Sequence, residues 1–338
     1  MARGRQAVIV DHQTHWYPPA YFEAVRGRHA PPRAERVAGG WRYEPWEGVE
    51  HRLAEAHVSL DAHLESMDAH GVSAMVSSPG LLGDVAHLEA PLAVELTEVL
   101  NGAAADAQRA LRGRFLGAAM VPLQTPELAV ASLERAWADG LRALCVLANA
   151  DGRSIATADL LPLYRRAGEL GVTLYLHPSE RSTAFASTPH RAVEVGVNWL
   201  WDTSVAALSL VYSGILEQAP GLTVVQPHLG GVVPFLIGRL AGVEQLEPAS
   251  GARRPVAEVL RDRFYVDSLN PTPGALALAV RLYGVDRILF ASDAPFVDRG
   301  AALDLVRREL SDEDADRVLR RNALPGREPG SDPGLTPG

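Results

Sequence analysis

The chain alternates short runs of apolar, β-branched or small residues with longer stretches in which apolar positions recur every three or four residues. The short runs fall at residues 7–10, 72–77, 115–121, 143–147, 172–176, 222–226, 264–266 and 288–291. Near-continuous apolar runs of this length suit parallel strands buried on both faces. Residues 128–138, 160–170, 275–283 and 301–310 between them carry the helical period. Eight strand–helix units predict a closed (β/α)8 TIM barrel, a single domain over residues 1–324. A doubly wound sheet is the competing architecture, but it places a glycine-rich phosphate turn after its first strand, and Asp11-His12-Gln13-Thr14-His15 is not one.

Two segments break the alternation. Residues 16–60 are too long for one crossover and contain Pro18-Pro19, Pro31-Pro32 and Gly39-Gly40-Trp41-Arg42-Tyr43. This insertion is expected to form a small β-hairpin that lies over the barrel mouth as a lid. Residues 325–338 are rich in Pro, Gly and charge, and disorder is expected there.

Composition narrows the partners. With 338 residues, 47% of them hydrophobic, the chain buries a sizeable core. Its formal charge of −9, with no basic cluster and no aromatic residues interleaved with arginine, argues against nucleic acid and for a small-molecule ligand. No run of 18 apolar residues occurs, and Met1-Ala2-Arg3-Gly4-Arg5 lacks the apolar stretch of a secretory signal, so a cytoplasmic protein without a membrane partner is expected. One cysteine, Cys145, precludes an internal disulfide, and its apolar neighbours make it a buried strand residue. All 32 basic residues are arginine, which excludes Schiff-base chemistry through a lysine side chain.

Four of the short runs end in a polar signature: Asp11 to His15, His177-Pro178, His228-Leu229-Gly230-Gly231 and Ser292-Asp293-Ala294-Pro295. Strand C-termini of a barrel point into one pocket, so these residues should converge on a metal or acid/base site. A lone histidine is more often structural; four such residues at four strand ends reverse that reading. In order and spacing, the signatures resemble the amidohydrolase superfamily, and within it the aminocarboxymuconate semialdehyde decarboxylase branch. The resemblance runs from Val8 to Asn322 and takes in Leu123 to Ala129, His228 to Arg239, Phe264 to Leu269 and Asp286 to Phe296.

The resemblance implies one divalent metal held by His15, His177 and Asp293, with His228 as the acid/base that handles metal-bound water. Zinc is the first expectation, manganese or magnesium the alternatives. The family's Asp-x-His-x-His departs here, because Gln13 stands where the second first-strand histidine belongs. Gln13 should point the same way as His15, and His12 the opposite way unless the strand bulges. An amide oxygen is a weaker and harder donor than imidazole, so Gln13 would weaken zinc or favour a harder metal. A metal-free site, with Gln13 binding substrate, also stays open.

Arg239 and Arg42 match positions that bind substrate carboxylates in that branch, and the Arg239 position there reaches the neighbouring subunit, implying a homodimer. Trp199 would line the pocket as an aromatic wall. His29, His51, His57, His63, His70, His87 and His190 read as solvated or structural. The expected function is a metal-dependent, oxygen-independent decarboxylase of an unsaturated or aromatic carboxylic acid, with Asp293 or His228 protonating the product. A hydrolase of a small amide, lactone or ester, and a metal-free tailoring enzyme or binding protein, are the alternatives.

Overall fold

The computed structural model describes residues 8–180, 190–247, 253–322 and 324. Eight parallel strands pair in chain order: β1 (Val10–Thr14), β2 (Ala74–Ser77), β3 (Phe115–Ala119), β4 (Ala143–Leu147), β5 (Thr173–His177), β6 (Thr223–Gln226), β7 (Phe264–Asp267) and β8 (Ile288–Leu289). The seam between β8 and β1 is closed just beyond β8, where His12 N–H donates to Phe290 O at 2.8 Å, Asp293 N–H to Gln13 O at 2.9 Å and His15 N–H to Ala294 O at 2.8 Å. The barrel expected from the sequence is thus formed.

Boundaries shift where chemistry interrupts the apolar runs. β1 starts at Val10 and carries Asp11 to Thr14 inside the strand, rather than ending before them as expected from residues 7–10. The ladder of β8 stops at Leu289, although Phe290 and Ala291 are fully buried: their backbone groups go to His12 and to the Ser268 hydroxyl. The helical stretches appear as Pro126–Ala138, Leu161–Glu169, Ala275–Tyr283 and Arg299–Glu309.

Alternation along each strand divides the apolar residues between two cores. On β4, Leu144 and Val146 belong to the outer core against the helices, whereas Ala143, Cys145 and Leu147 face an inner core with Tyr175, Val225, Tyr265 and Leu289. Burial pushes the Cys145 thiol up to about 12, so it is a packing residue.

The insertion is larger than a hairpin. A helix, Pro19–Val25, precedes a three-stranded antiparallel sheet of Arg33–Val37, Gly40–Trp46 and Val49–Ala54. Gly40 is required at the first turn, because a Cβ there would overlap the Leu53 carbonyl. Trp41 pairs across the sheet with Leu53 and Tyr43 with His51, and Trp41, Tyr43 and Leu53 join the inner core through Phe22 and neighbours. Burying Trp41 and Tyr43 completely fastens this lid onto the barrel mouth.

After β6 comes the helix Val233–Leu246. With the turn before it, residues 228–246 are long and apolar enough to cross a membrane by length and composition alone. The segment is nonetheless a barrel helix: Leu229 and Val233 are buried, and Ile237 and Leu240 pack on the outer core. The tail at residues 325–338, where disorder was expected, lies outside the described residues.

Candidate active site

Gln13 and His15 from β1, His177 from the end of β5, His228 after β6 and Asp293 after β8 line one cavity of about 320 Å³ at the C-terminal mouth of the barrel. Two of these residues sit in the left-handed backbone region, His228 at φ 56° and Asp293 at φ 62°. Such conformations cost about 1–3 kcal/mol each and persist where surrounding contacts over-determine them. At Asp293 the contacts are visible. Asp11, fully buried on the outer side of β1, accepts from Ser292 N–H at 2.9 Å, from the Ser292 hydroxyl at 2.5 Å and from Arg299 Nε at 3.1 Å. At His228, the next residue's N–H donates to Asp267 Oδ1 at 3.3 Å.

Two imidazoles face each other in the cavity, His15 Nε2 and His177 Nε2 at 3.4 Å. Each Nδ1 lies at a backbone carbonyl, His15 at Ser78 O (3.0 Å) and His177 at Pro178 O (2.8 Å). In His177 an Nδ1–H donated to Pro178 O leaves Nε2 as the lone-pair nitrogen, the orientation that metal-binding histidines adopt, whereas His15 Nε2 faces the Asp293 carboxylate and donates to it. Burial and the neighbouring His15 hold the His177 imidazole down at about 3, so it is neutral near pH 7. Asp293 Oδ1 lies 2.9 Å from His15 Nε2. Burial pushes the Asp293 carboxyl up, but the His15 hydrogen bond and the nearby imidazoles outweigh it and keep it below the usual carboxylate range.

In residue type the donor set fits a divalent cation: two imidazoles and an ionised carboxylate line one cavity with Gln13 beside them. Room is kept by Gly80, at φ 50°, where a Cβ would stand 2.7 Å from His177 Nε2 and 3.1 Å from His15 Cε1. His15 instead turns toward Asp293, and among the described residues no three such side chains close on a common point.

The rest of the wall is mostly apolar and aromatic: Tyr17, Leu53, Leu81, Leu82, Trp199 and Phe296. Tyr17 stacks on His15 with centroids 6.4 Å apart, and Phe296 lies 5.8 Å from His15. A cavity at the small end of ligand pockets, about 300–1,000 Å³, with aromatic walls accepts a flat single-ring molecule.

A protein-family model described as amidohydrolase matches residues 10–324. The chain belongs to the amidohydrolase family. Among its relatives is the gamma-resorcylate decarboxylase of a Rhizobium species, 29% identical over 298 residues, covering 82% of this chain and 89% of that protein. The 2-amino-3-carboxymuconate-6-semialdehyde decarboxylase of Dictyostelium discoideum is 26% identical over 249 residues, 69% of this chain and 66% of that one. The crystal structure of a dihydroxybenzoic acid decarboxylase from Polaromonas, with bound manganese and the inhibitor 2-nitroresorcinol, superposes with a TM-score of 0.75 at 23% identity, over 93% of this chain and 95% of that one.

In this amidohydrolase the residues singled out in the sequence divide into two groups. His15, His177, His228, Asp293, Gln13 and Trp199 share the cavity. Gln13 Nε2 is buried without a hydrogen-bond partner among the described residues. His12 does not face away: the β1–β2 register slips between Asp11 and Thr14, and His12 turns into a small void below the main cavity, its Nδ1 3.2 Å from the Tyr175 hydroxyl.

The two arginines lie elsewhere. Arg42 points away from the cavity, ion-paired with Glu35 and 3.8 Å from Glu50 on the outer side of the lid sheet, which corrects its expected place at the substrate. Within the insertion, strand register, not order along the chain, decides which face a side chain takes. Arg239 is exposed on the helix Val233–Leu246 and does not line this chain's own cavity.

Four further residues escaped the sequence reading. His51, from the third lid strand, lines the cavity, as does Arg191. Glu180 sits behind them, with its side chain 8% exposed. Asp267, beneath His228, is pushed up to about 6 by burial, an effect that the His228 charge partly offsets. His51 was hidden because the lid's extra strand was not expected; Asp267, the polar end of an apolar run, was legible in kind.

Proposed function

We propose that this chain is a metal-dependent, oxygen-independent decarboxylase of an aromatic or unsaturated carboxylic acid. The carrying observation is that His15 Nε2 lies 3.4 Å from His177 Nε2 and 2.9 Å from Asp293 Oδ1, beside His228, in an aromatic-walled cavity of single-ring size. The relatives' names, those of decarboxylases, and the manganese of the Polaromonas structure support the reading.

His15, His177 and Asp293 would hold the metal, with the Gln13 amide oxygen as a hard neutral donor suited to manganese; zinc is the alternative. The metal, when bound, supplies Lewis acidity toward the substrate's oxygens. The walls of Tyr17, Trp199 and Phe296 hold the ring flat. In the reaction the bond from ring carbon to carboxyl carbon breaks, carbon dioxide leaves, and the electron pair stays on the carbon. His228 delivers a proton to that carbon and is reprotonated from solvent, whereas Asp293, held as the carboxylate, has no proton to give. No oxidant enters, because a proton replaces the carboxyl group.

We further propose a cytoplasmic homodimer in which Arg239 serves the neighbouring subunit's cavity. The apolar outer face of its helix supports the dimer, with Phe235 80% and Leu246 83% exposed on either side of Arg239. Mixing His228→Ala with Arg239→Ala subunits should then restore turnover that neither variant has, and light scattering should give twice the chain mass.

The test of the main reading is carbon dioxide release from 2,6-dihydroxybenzoate and a panel of hydroxybenzoic acids, with protein whose metal content has been measured. Release that stops after chelation, returns with manganese and is abolished in His228→Ala at unchanged metal content is expected. Hydrolysis of an ester, lactone or amide without carbon dioxide release from any acid would overturn it.

A further inference from the structure

The cavity contains a cation for which the reaction above has no use. Arg191 opens the helical run that follows β5, and it is a wall residue of the site. Its guanidinium lies 4.9 Å above the Trp199 ring, also a wall residue. Nη1 lies 2.6 Å from Glu180 Oε1.

Three features distinguish this arrangement from a surface ion pair. The carboxylate partner is more than nine-tenths buried while the arginine side chain is 52% exposed toward the cavity mouth. Only Nη1 is engaged, so among the described residues the other nitrogens of the fork make no hydrogen bond. Glu180 Oε2 is buried with no hydrogen-bond partner among the described residues, and the similarly unpartnered His51 Nε2 lies 4.0 Å away. Glu180 therefore fixes one end of the guanidinium without neutralising it through a two-point contact. The ring beneath sets its plane, and among the described residues nothing is bonded to the other edge.

Arg52, the other arginine of the wall, does not compete for this role. Its side chain is 82% exposed and paired with Glu50.

We infer that Arg191 is a specificity-determining anchor for a second anionic group of the substrate, a carboxylate remote from the one that is lost. The inference rests on reading the cavity as a carboxylic-acid site. The free edge of the guanidinium would pair with that carboxylate in the fork geometry, and Trp199 would stack beside the ring that carries it. The preferred substrates are then aromatic dicarboxylic acids over the corresponding monoacids.

Calorimetry on the full-length, manganese-supplied protein tests this, with 4-hydroxyisophthalate, 2-hydroxyterephthalate and 2-hydroxybenzoate as probes. At least one dicarboxylate should bind about tenfold or more tighter than 2-hydroxybenzoate, the gain of one charge-assisted two-point contact. Arg191→Met should narrow that ratio to within about twofold, and Arg191→Lys should keep part of it because the charge remains without the fork. No preference in the parent protein overturns the inference, as does a preference that survives Arg191→Met in protein with an unchanged melting temperature. Carbon dioxide release in the same mixtures is read separately. A ratio that collapses with Arg191→Met while no acid is decarboxylated keeps the anchor and overturns the decarboxylase reading.

Discussion

Replacing Arg299 by methionine should destabilise the barrel more than any surface substitution. Arg299 is 2% exposed and its partner Asp11 fully buried, with Nε and Oδ2 3.1 Å apart. Arg299 Nη2 also lies 3.3 Å from His63 Nδ1. Removing one member of a buried pair leaves the other charge desolvated, which costs about 3–5 kcal/mol. The two Ser292 hydrogen bonds onto Asp11 remain and keep the loss toward the lower end. The double variant Asp11→Asn, Arg299→Met removes both charges and should recover about half of the loss, since an apolar replacement of a whole buried pair is often near neutral. Urea unfolding of the four proteins gives the coupling directly. A loss under about 1 kcal/mol in Arg299→Met, or strict additivity in the cycle, would refute the reasoning.

Three other outcomes follow from the site. Gly80→Ala places a Cβ 2.7 Å from His177 Nε2 at a φ of 50°, and is expected to lower metal content per chain and abolish turnover while the far-ultraviolet circular dichroism stays unchanged; full occupancy in the variant would count against the site. Gln13→His should raise zinc retained through purification by supplying a softer donor, and unchanged retention would remove Gln13 from the ligand set. Asp267 has a folded-state value of about 6, above its ordinary 3.8. The unfolded chain therefore releases this proton first, and stability falls as pH rises from about 4 to about 6. Asp267→Asn should be the more stable protein at pH 7, by at most about 3 kcal/mol, with the difference vanishing below pH 4; equal stability at both pH values would show that the carboxyl is not strained.

The barrel was legible because strands buried on both faces leave an unbroken apolar signature, and Ala143–Leu147 and Ala275–Tyr283 match their expected limits. The site was legible in its strand-end residues, because a barrel delivers every strand C-terminus to one mouth. Legibility failed where position depends on register and not on order along the chain. One strand beyond the expected hairpin put His51 on the cavity side of the lid and Arg42 on the other. A slip in the β1 ladder turned His12 inward against the two-residue alternation of a regular strand. Arg191 was invisible for a different reason: a single arginine acquires meaning only from the buried Glu180 and the Trp199 ring beside it.

The seam that closes the barrel also carries the chemistry, and this orders events as the chain folds. Asp11 and Ser292, whose hydrogen bonds set the Asp293 backbone, are 281 positions apart, and His15 meets Asp293 across the same junction. Contacts so distant in sequence are slow to form, because the entropy of closing the loop must be met before they contribute. During synthesis the first strand waits for the 281 positions that separate Asp11 from Ser292. No partly folded species lacking the last strand can hold all the acceptor atoms of the site, so metal uptake should coincide with completion of the ring. A pulse of metal-binding signal during refolding would then time the closure of the barrel itself.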